Sequence, residues 1–420
     1  MTIISEAHLK DFLKSIKERP LEPNSPFYVP HFQKNNDPIQ KLYNHITRDD
    51  DTQSVALLSG FRGNGKSTEL RRLQNELEQT DYAVLLCDIE PFFNEYEPVD
   101  ITDFLISVAL ALNNAMKMKY QEDFLKESYL ERVGNFLQTE VKLGGTGKDE
   151  FFWISLVREA PFKKRLQHAL STKLEPFVRE IRQFFTNVRN FLQQRGYEQM
   201  VLLLDSFEKI RGIGENAHQI HESVDYLFRQ HIGEKLQLPG WHVVYTVPPY
   251  VNSVSASGLG ICTFLPNVHI SDKAGCADDS GISVMKEVVR RRFSDWEMLF
   301  TQDQMKQIIL ATAGSFRVFF RLIRIILLGI PSDKSQLIQV PITDELLEHA
   351  TNDLLREMSF LLPTEEKLLL RKIAESKTPE VSKESDKQIL MKFMDKDWVF
   401  LYHNGEAWFD VNPLLKKALD

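Results

Sequence analysis

The sequence predicts an α/β fold: a parallel sheet flanked by helices, then an all-helical region, then a C-terminal unit of helices closed by a hairpin. Three observations carry that prediction. Short apolar runs at 55–58 (VALL), 82–89 (YAVLLCDI), 200–204 (MVLLL) and 241–247 (WHVVYTV) read as strands buried on both faces. Helix-spaced segments separate these runs, which is the arrangement that makes neighbouring strands parallel and puts ligands at their carboxyl ends. Beyond residue 280 the spacing is helical until Asn404-Gly405, a two-residue turn signal between 398–402 and Glu406–Val411.

In chain order, residues 1–50 form a lead-in: a helix-like start, a stretch with Pro20, Pro23, Pro26 and Pro30, and helical spacing from Ile39 to Ile46. Residues 51–252 form the core. Its first strand breaks into Gly60-x-x-x-x-Gly65-Lys66-Ser67 and opens onto a helix with Leu70, Leu73 and Leu77 on one face. A strongly apolar helix is expected over 101–118, and a helical, charged insertion over about 119–198. Within the insertion, Gly144-Gly145-Thr146-Gly147 and Lys148 superficially resemble a second phosphate loop. They lack the first Gly, the hydroxyl residue after the lysine and a preceding strand, so they read as a loop. Residues 253–335 form a helical lid, with helices at 282–293, 302–313 and 316–328 after a Ser-, Gly- and Asp-rich stretch. Residues 336–420 read helix, helix, hairpin. No internal repeat is present.

A chain of 420 residues with 43% hydrophobic and 10% aromatic content has ample material for two or three cores. The net charge of −8 argues against a protein that coats nucleic acid by bulk electrostatics, so any such contact is a local patch. Cys87, Cys262 and Cys276 are widely spaced with no C-x-x-C pair, which excludes a zinc ribbon and a disulfide framework and fits a reducing compartment. The first 15 residues carry acids and Lys10, unlike a signal peptide, and the apolar run at 318–330 is broken by Arg321 and Arg324. A soluble, cytoplasmic protein without membrane contact is expected.

The loop at 60–67 has the composition that holds a nucleoside triphosphate. Gly60, Gly63 and Gly65 let backbone N–H groups converge on phosphate oxygens, and the next helix presents its positive end to the same oxygens. Lys66 reaches the β- and γ-phosphates and the Ser67 hydroxyl takes a place on Mg²⁺. Arg62, Asn64 and Thr68 complete the expected cofactor-binding stretch. Asp205, ending an apolar strand, is the expected metal partner. Ser206 follows it where many such enzymes carry a second acid, so either Glu208 orients the attacking water or hydrolysis is slow. Thr246, late in the fourth strand, is placed to sense the γ-phosphate or lytic water. Arg317 opens an apolar helix from which a guanidinium reaches back to the phosphates. Other constellations are weak. His218, His221 and Glu222 read as a polar helix face, and Arg290-Arg291-Arg292 as a solvated face, with a charge contribution to a neighbouring subunit or nucleic acid as its rival. The hairpin loop carries His403, Asn404 and Glu406 rather than a basic cluster.

Together these motifs resemble a known class. GFRGNGKSTELRRL and MVLLLDSFEKI resemble the Walker A and Walker B regions of AAA+-like P-loop NTPases, which include the STAND signal-transduction group and the initiator-like Orc/Cdc6 group. WHVVYTVPP resembles their sensor-1 strand, with Thr246 at its polar position, and AGSFRVFFRLIRII resembles the sensor-2 helix of the lid, with Arg317. The C-terminal unit resembles the winged helix that follows the lid. Phe27-Tyr28-Val29 sits where such proteins line the adenine pocket, so Tyr28 and Val29 join the expected cofactor-binding set. The resemblance implies an ATPase using ATP and Mg²⁺, a nucleotide-driven switch that assembles with itself or engages an effector, with bacterial antiviral defence or regulatory systems as the analogy. Its alternative is a nucleic-acid-binding initiator or loader acting through the winged helix. Ser206 departs from the pattern, and no arginine finger is assigned; Arg229 is placed there by position alone.

Overall fold

The computed structural model describes residues 2–32, 36–48, 51–124, 159, 163–164, 167–168, 170, 173–210, 212, 216–251, 261–331, 337–360, 362–379, 383–404 and 406–419. The Gly144–Lys148 stretch and much of the 119–198 insertion therefore lie outside the described residues. In chain order the strands are β1 (Thr2–Ser5), β2 (Ser54–Gly60), β3 (Ala83–Asp88), β4 (Met200–Asp205), β5 (His242–Val247), β6 (Ile261–Leu265), β7 (Leu337–Val340), β8 (Val399–Asn404) and β9 (Glu406–Val411). The chain divides into two compact units. One comprises Lys34–Gly60 and Lys66–Phe264; the other comprises Met1–Gln33, Phe61–Gly65 and Leu265–Asp420.

The first unit is built on the expected sheet. Its strand order is β3-β4-β5-β2-β6, with β3, β4, β5 and β2 pairing in parallel. Because β2 lies inside the sheet while its successor β3 lies at the edge, the chain leaves β2 where the crossovers diverge, the switch point at which open α/β sheets bind ligands. The register aligns the carboxyl ends that matter: Leu58 lies opposite Thr246, and Asp88 opposite Asp205. All six residues of β4 and of β5 are buried, which explains their unbroken apolar character.

Helices Pro38–Arg48, Lys66–Glu78, Ile101–Tyr120, Leu174–Gln193 and Ala217–His231 accompany this sheet. Ile101–Tyr120 starts at a capping box, Asp100 taking Thr102 N–H while Asp103 reaches back to Asp100 N–H at 2.9 Å. Phe104 of that helix stands edge-on to Phe207 at 4.9 Å, and Phe207 meets Phe228 at 5.2 Å. Phe207 lies between Ser206 and Glu208, so this aromatic cluster anchors the turn that carries the candidate catalytic carboxylate.

The second unit is mainly helical. Asp279–Arg292, Gln302–Ala311 and Phe316–Gly329 are helices in the stretch expected as a lid, and Asp344–Ser359, Thr364–Ser376 and Glu384–Asp395 precede the antiparallel β8–β9 hairpin. Tyr402 and Trp408 stack across the hairpin with centroids 4.3 Å apart. The start of the chain differs from the expected helix: residues 2–5 are a strand, β1, which pairs antiparallel with β7 before helix Glu6–Ser15 begins. Thr2, Ile3 and Ile4 suit a strand, but a four-residue segment is legible only with its partner, which begins at Leu337. The Arg290-Arg291-Arg292 run is a solvated face only in part. Arg290 pairs with Glu287, whereas the Arg292 guanidinium lies 5.4 Å from the Phe27 ring centre and 4.9 Å from that of Phe320, where burial pulls it down to about 10. No helix among the described residues is long and apolar enough to cross a membrane.

Candidate functional site

β2 ends at Gly60, and helix Lys66–Glu78 begins at the residue whose ammonium returns to it. Lys66 Nζ donates to the Gly60 carbonyl at 2.9 Å and lies 3.5 Å from Glu208 Oε1, with both side chains buried. A buried lysine requires such partners, so its charge is held at the loop rather than in solvent. Arg72, one helical face further on, joins Asp37 and Glu69, tying this helix to Pro38–Arg48.

At the end of β4, Asp205 is buried and is hydrogen-bonded by the Ser67 hydroxyl. Burial, and then the neighbouring Glu208 charge, push its carboxyl up to about 6. Ser206 N–H donates to Asp205 Oδ1 at 2.9 Å, and Ser206 itself adopts φ +78°. A serine in the left-handed region is strained, and this turn carries the chain into the short helix Phe207–Lys209. Ser206, where the resemblance expects a second acid, is thus a backbone pivot, and the next carboxylate along the chain is Glu208, two residues later.

Burial alone would raise the Glu208 carboxyl; the Lys66 charge beside it outweighs that and holds the group below the usual carboxylate range. Glu208 Oε2 and Thr246 Oγ1 are buried, and among the described residues neither has a hydrogen-bond partner. Two adjacent orphaned oxygens beside a buried lysine form the kind of place a water or ligand oxygen fills.

The remaining loop residues group with the second unit. Gly63 and Gly65 have φ of +73° and +98°. A Cβ built on Gly63 would lie 2.6 Å from the Arg317 Cβ, so glycine is required both by conformation and by the arginine stem beside it. Arg317 follows a turn with Gly314 at φ +67° and a Ser315 N-cap, and its Nε is 3.7 Å from Glu18 Oε2. Asn64 Nδ2 donates to the Leu265 carbonyl at 2.5 Å, while Arg62 is half-buried. Thr68, half-buried, lies in the first turn of helix Lys66–Glu78. The Tyr28 carbonyl accepts from Arg291, and Val29 is buried with its carbonyl 3.2 Å from His31 Nδ1.

The structure therefore gathers Lys66, Ser67, Asp205, Glu208 and Thr246 in the first unit, and Gly63, Asn64, Gly65, Arg317, Tyr28 and Val29 belong to the second. Arg229 pairs with Asp225 on its own helix. His218 pairs with Glu222 while His221 is buried, and no group of three metal-binding side chains occurs among the described residues. Sequence reasoning did not single out Glu18 or Asn267. The latter, buried with neither amide atom hydrogen-bonded among the described residues, had a faint signal: a carboxamide two residues after the apolar run Ile261–Leu265.

No protein-family model matches the chain, and no curated protein does. Among solved structures it is similar to the ORC2 protein of Aeropyrum pernix in its ADP form, at 13% identity and a TM-score of 0.43, over 97% of this chain and 95% of that one. It is similar to Cdc6p of Pyrobaculum aerophilum at 13% identity and TM-score 0.38, with 100% of both chains covered. The Walker-type ATPase PABY2304 of Pyrococcus abyssi gives 13% identity and TM-score 0.38, over 94% and 99% of the two chains. Likenesses this distant leave the functional reading to the geometry of the site.

Proposed function

We propose that this protein binds ATP with Mg²⁺ at the 60–67 loop and hydrolyses it, using nucleotide state as a switch for self-assembly or engagement of an effector protein. The observation that carries the reading is the buried cluster of Lys66, Glu208 and Thr246 beside the Asp205–Ser67 pair. Lys66 supplies the charge that a triphosphate needs. Glu208, kept ionised, with the Thr246 hydroxyl next to it, is suited to holding and deprotonating an attacking water.

Ser67 and Asp205 fit Mg²⁺ and would hold it: one hydroxyl and one carboxylate, already in contact, are oxygen donors of the kind that ion takes. The ion would neutralise charge on the phosphates, and it would relieve the burial that now raises Asp205. Arg317, its stem against Gly63 of the loop, is suited to carry nucleotide state into helix Phe316–Gly329. The elements between 344 and 416 would then serve as a contact surface. An acidic chain whose hairpin loop carries His403 and Glu406 favours a protein partner there over nucleic acid.

The switch is tested by the mass of the full chain in solution with ADP and with a slowly hydrolysed ATP analogue. Assembly with the analogue alone supports it. Identical mass in both states, with and without added double-stranded DNA at low salt, removes self-assembly from the proposal. DNA binding at low salt that is lost on deleting residues 361–420 would favour the initiator-like alternative.

A further inference from the structure

We propose that the C-terminal hairpin sets the shape of the phosphate loop, through the contact of Phe61 in the loop with Phe400 in β8. This rests on the nucleotide reading above and adds a positioning residue to that site. The two rings meet edge to face, with centroids 5.1 Å apart and planes at 78°. Phe61 is 1% exposed and Phe400 fully buried. Phosphate binding asks nothing of a side chain at position 61, because backbone N–H groups cradle the phosphates and the residues between the glycines have only to turn. A buried phenyl directly after Gly60 therefore answers to packing, and what it packs on is a strand near the other end of the chain.

That strand is held from several directions. Phe400 lies opposite Asp410 in the hairpin, and the Asp410 carboxylate takes Lys377 at 2.8 Å and Lys416 at 2.7 Å. Asn412, fully buried, donates its N–H to the Trp398 carbonyl at 2.8 Å and its Nδ2 to the Asp397 carbonyl at 3.0 Å. Trp398 N–H in turn reaches the Phe393 carbonyl at 2.9 Å, tying β8 to helix Glu384–Asp395. Two more loop residues are held by the same unit, Gly63 by the Arg317 stem and Asn64 by the Leu265 carbonyl. The apex Phe61–Gly65 belongs to the unit that contains Leu265–Asp420, whereas Gly60 and Lys66, one peptide bond away on either side, belong to the unit built on the sheet. The hairpin's hold on Phe61 is thus passed to Gly60 through the main chain. Without Phe400 the apex gains conformations, and ordering them again on a triphosphate weakens binding.

The test measures MgATP affinity of the full chain for the wild type, Phe61→Leu, Phe400→Leu and the double variant, together with hydrogen exchange of the β8 and β9 amides. Each single variant should lose affinity by about three- to tenfold, the range expected for one aromatic pair. The double variant should lose no more than either single one, since both remove the same contact. Coupling is reciprocal, so saturating MgATP should slow exchange in the wild-type hairpin, and Phe61→Leu should abolish that slowing while still binding ATP.

Unchanged affinity in both single variants, or losses that multiply in the double variant, overturns the inference, and Phe61 then only fills space against β8. Hairpin exchange that MgATP leaves unchanged in the wild type overturns it too, and that measurement decides the matter if the leucine variants do not fold. Wild-type ATP binding that Lys66→Ala weakens, alongside any of these results, leaves the nucleotide site standing. If the wild type binds neither ATP nor inorganic tripolyphosphate, the nucleotide reading falls and this inference with it.

Discussion

Replacing Glu208 by glutamine should move hydrolysis and affinity in opposite directions. The side chain is buried, and one carboxylate oxygen lies 3.5 Å from Lys66 Nζ. At an effective dielectric of 20, two unit charges at that distance attract by about 5 kcal/mol before desolvation is subtracted. A triphosphate competes for the same ammonium and is repelled by the same carboxylate. Glutamine keeps the volume and removes the charge, so ATP should bind about tenfold more tightly, a net gain of about 1.4 kcal/mol once desolvation has offset most of the gross term. Loss of the base that activates water should slow the chemical step by about 10² to 10⁴. Calorimetric titration with ATP and single-turnover phosphate release separate the two effects. Unchanged single-turnover hydrolysis in Glu208→Gln, or binding weakened about tenfold, refutes the reasoning, because Glu208 would then only hold Lys66 in place.

Two further outcomes follow from the site. The Asp205 carboxyl, raised to about 6 against an ordinary 3.8, binds its proton more tightly in the folded chain than in the unfolded one. Its contribution to stability without metal therefore falls by roughly 1.4 kcal/mol per pH unit as pH rises from about 4 to about 6, then levels off. The same proton competes with Mg²⁺, so metal-dependent ATP affinity should drop about tenfold per pH unit below pH 6. Asp205→Asn should flatten that slope in a titration series, and an unchanged slope assigns the proton elsewhere. Gly63→Ala places a methyl where the Arg317 stem stands, at a φ that disfavours it, and should cost ATP affinity about tenfold or more while thermal unfolding shifts by only a few degrees. Full affinity in that variant would show that the loop backbone gives way and does not depend on glycine there.

Much of this arrangement was legible in the sequence because it is local. The strand, glycine loop and helix at 54–78 announce themselves through apolar run, glycine spacing and a lysine–serine pair, and Asp205 stands out as a charge ending an unbroken apolar strand. Other parts depend on contacts far apart in the chain. β1 and β7 have the composition of strands but are recognisable only as a pair. Ile261–Leu265 is a short apolar run within a polar stretch, and only its place beside β2 in the sheet makes it a recognisable strand. Arg292 belongs to a run of three arginines that reads as a solvated face, and only the Phe27 and Phe320 rings distinguish it from Arg290. Asn267 carries no motif at all. What marks it is burial without a hydrogen-bond partner among the described residues, a property of packing that no spacing rule encodes.

The central claim is that the Lys66 ammonium holds a triphosphate at the 60–67 loop. Calorimetric titration of the full chain with MgATP, wild type beside Lys66→Ala, tests it most directly. Binding in the wild type that weakens by about a hundredfold or more in the variant, as expected for loss of a buried charge-assisted contact, is the predicted result. Equal affinity in the two proteins would contradict the account.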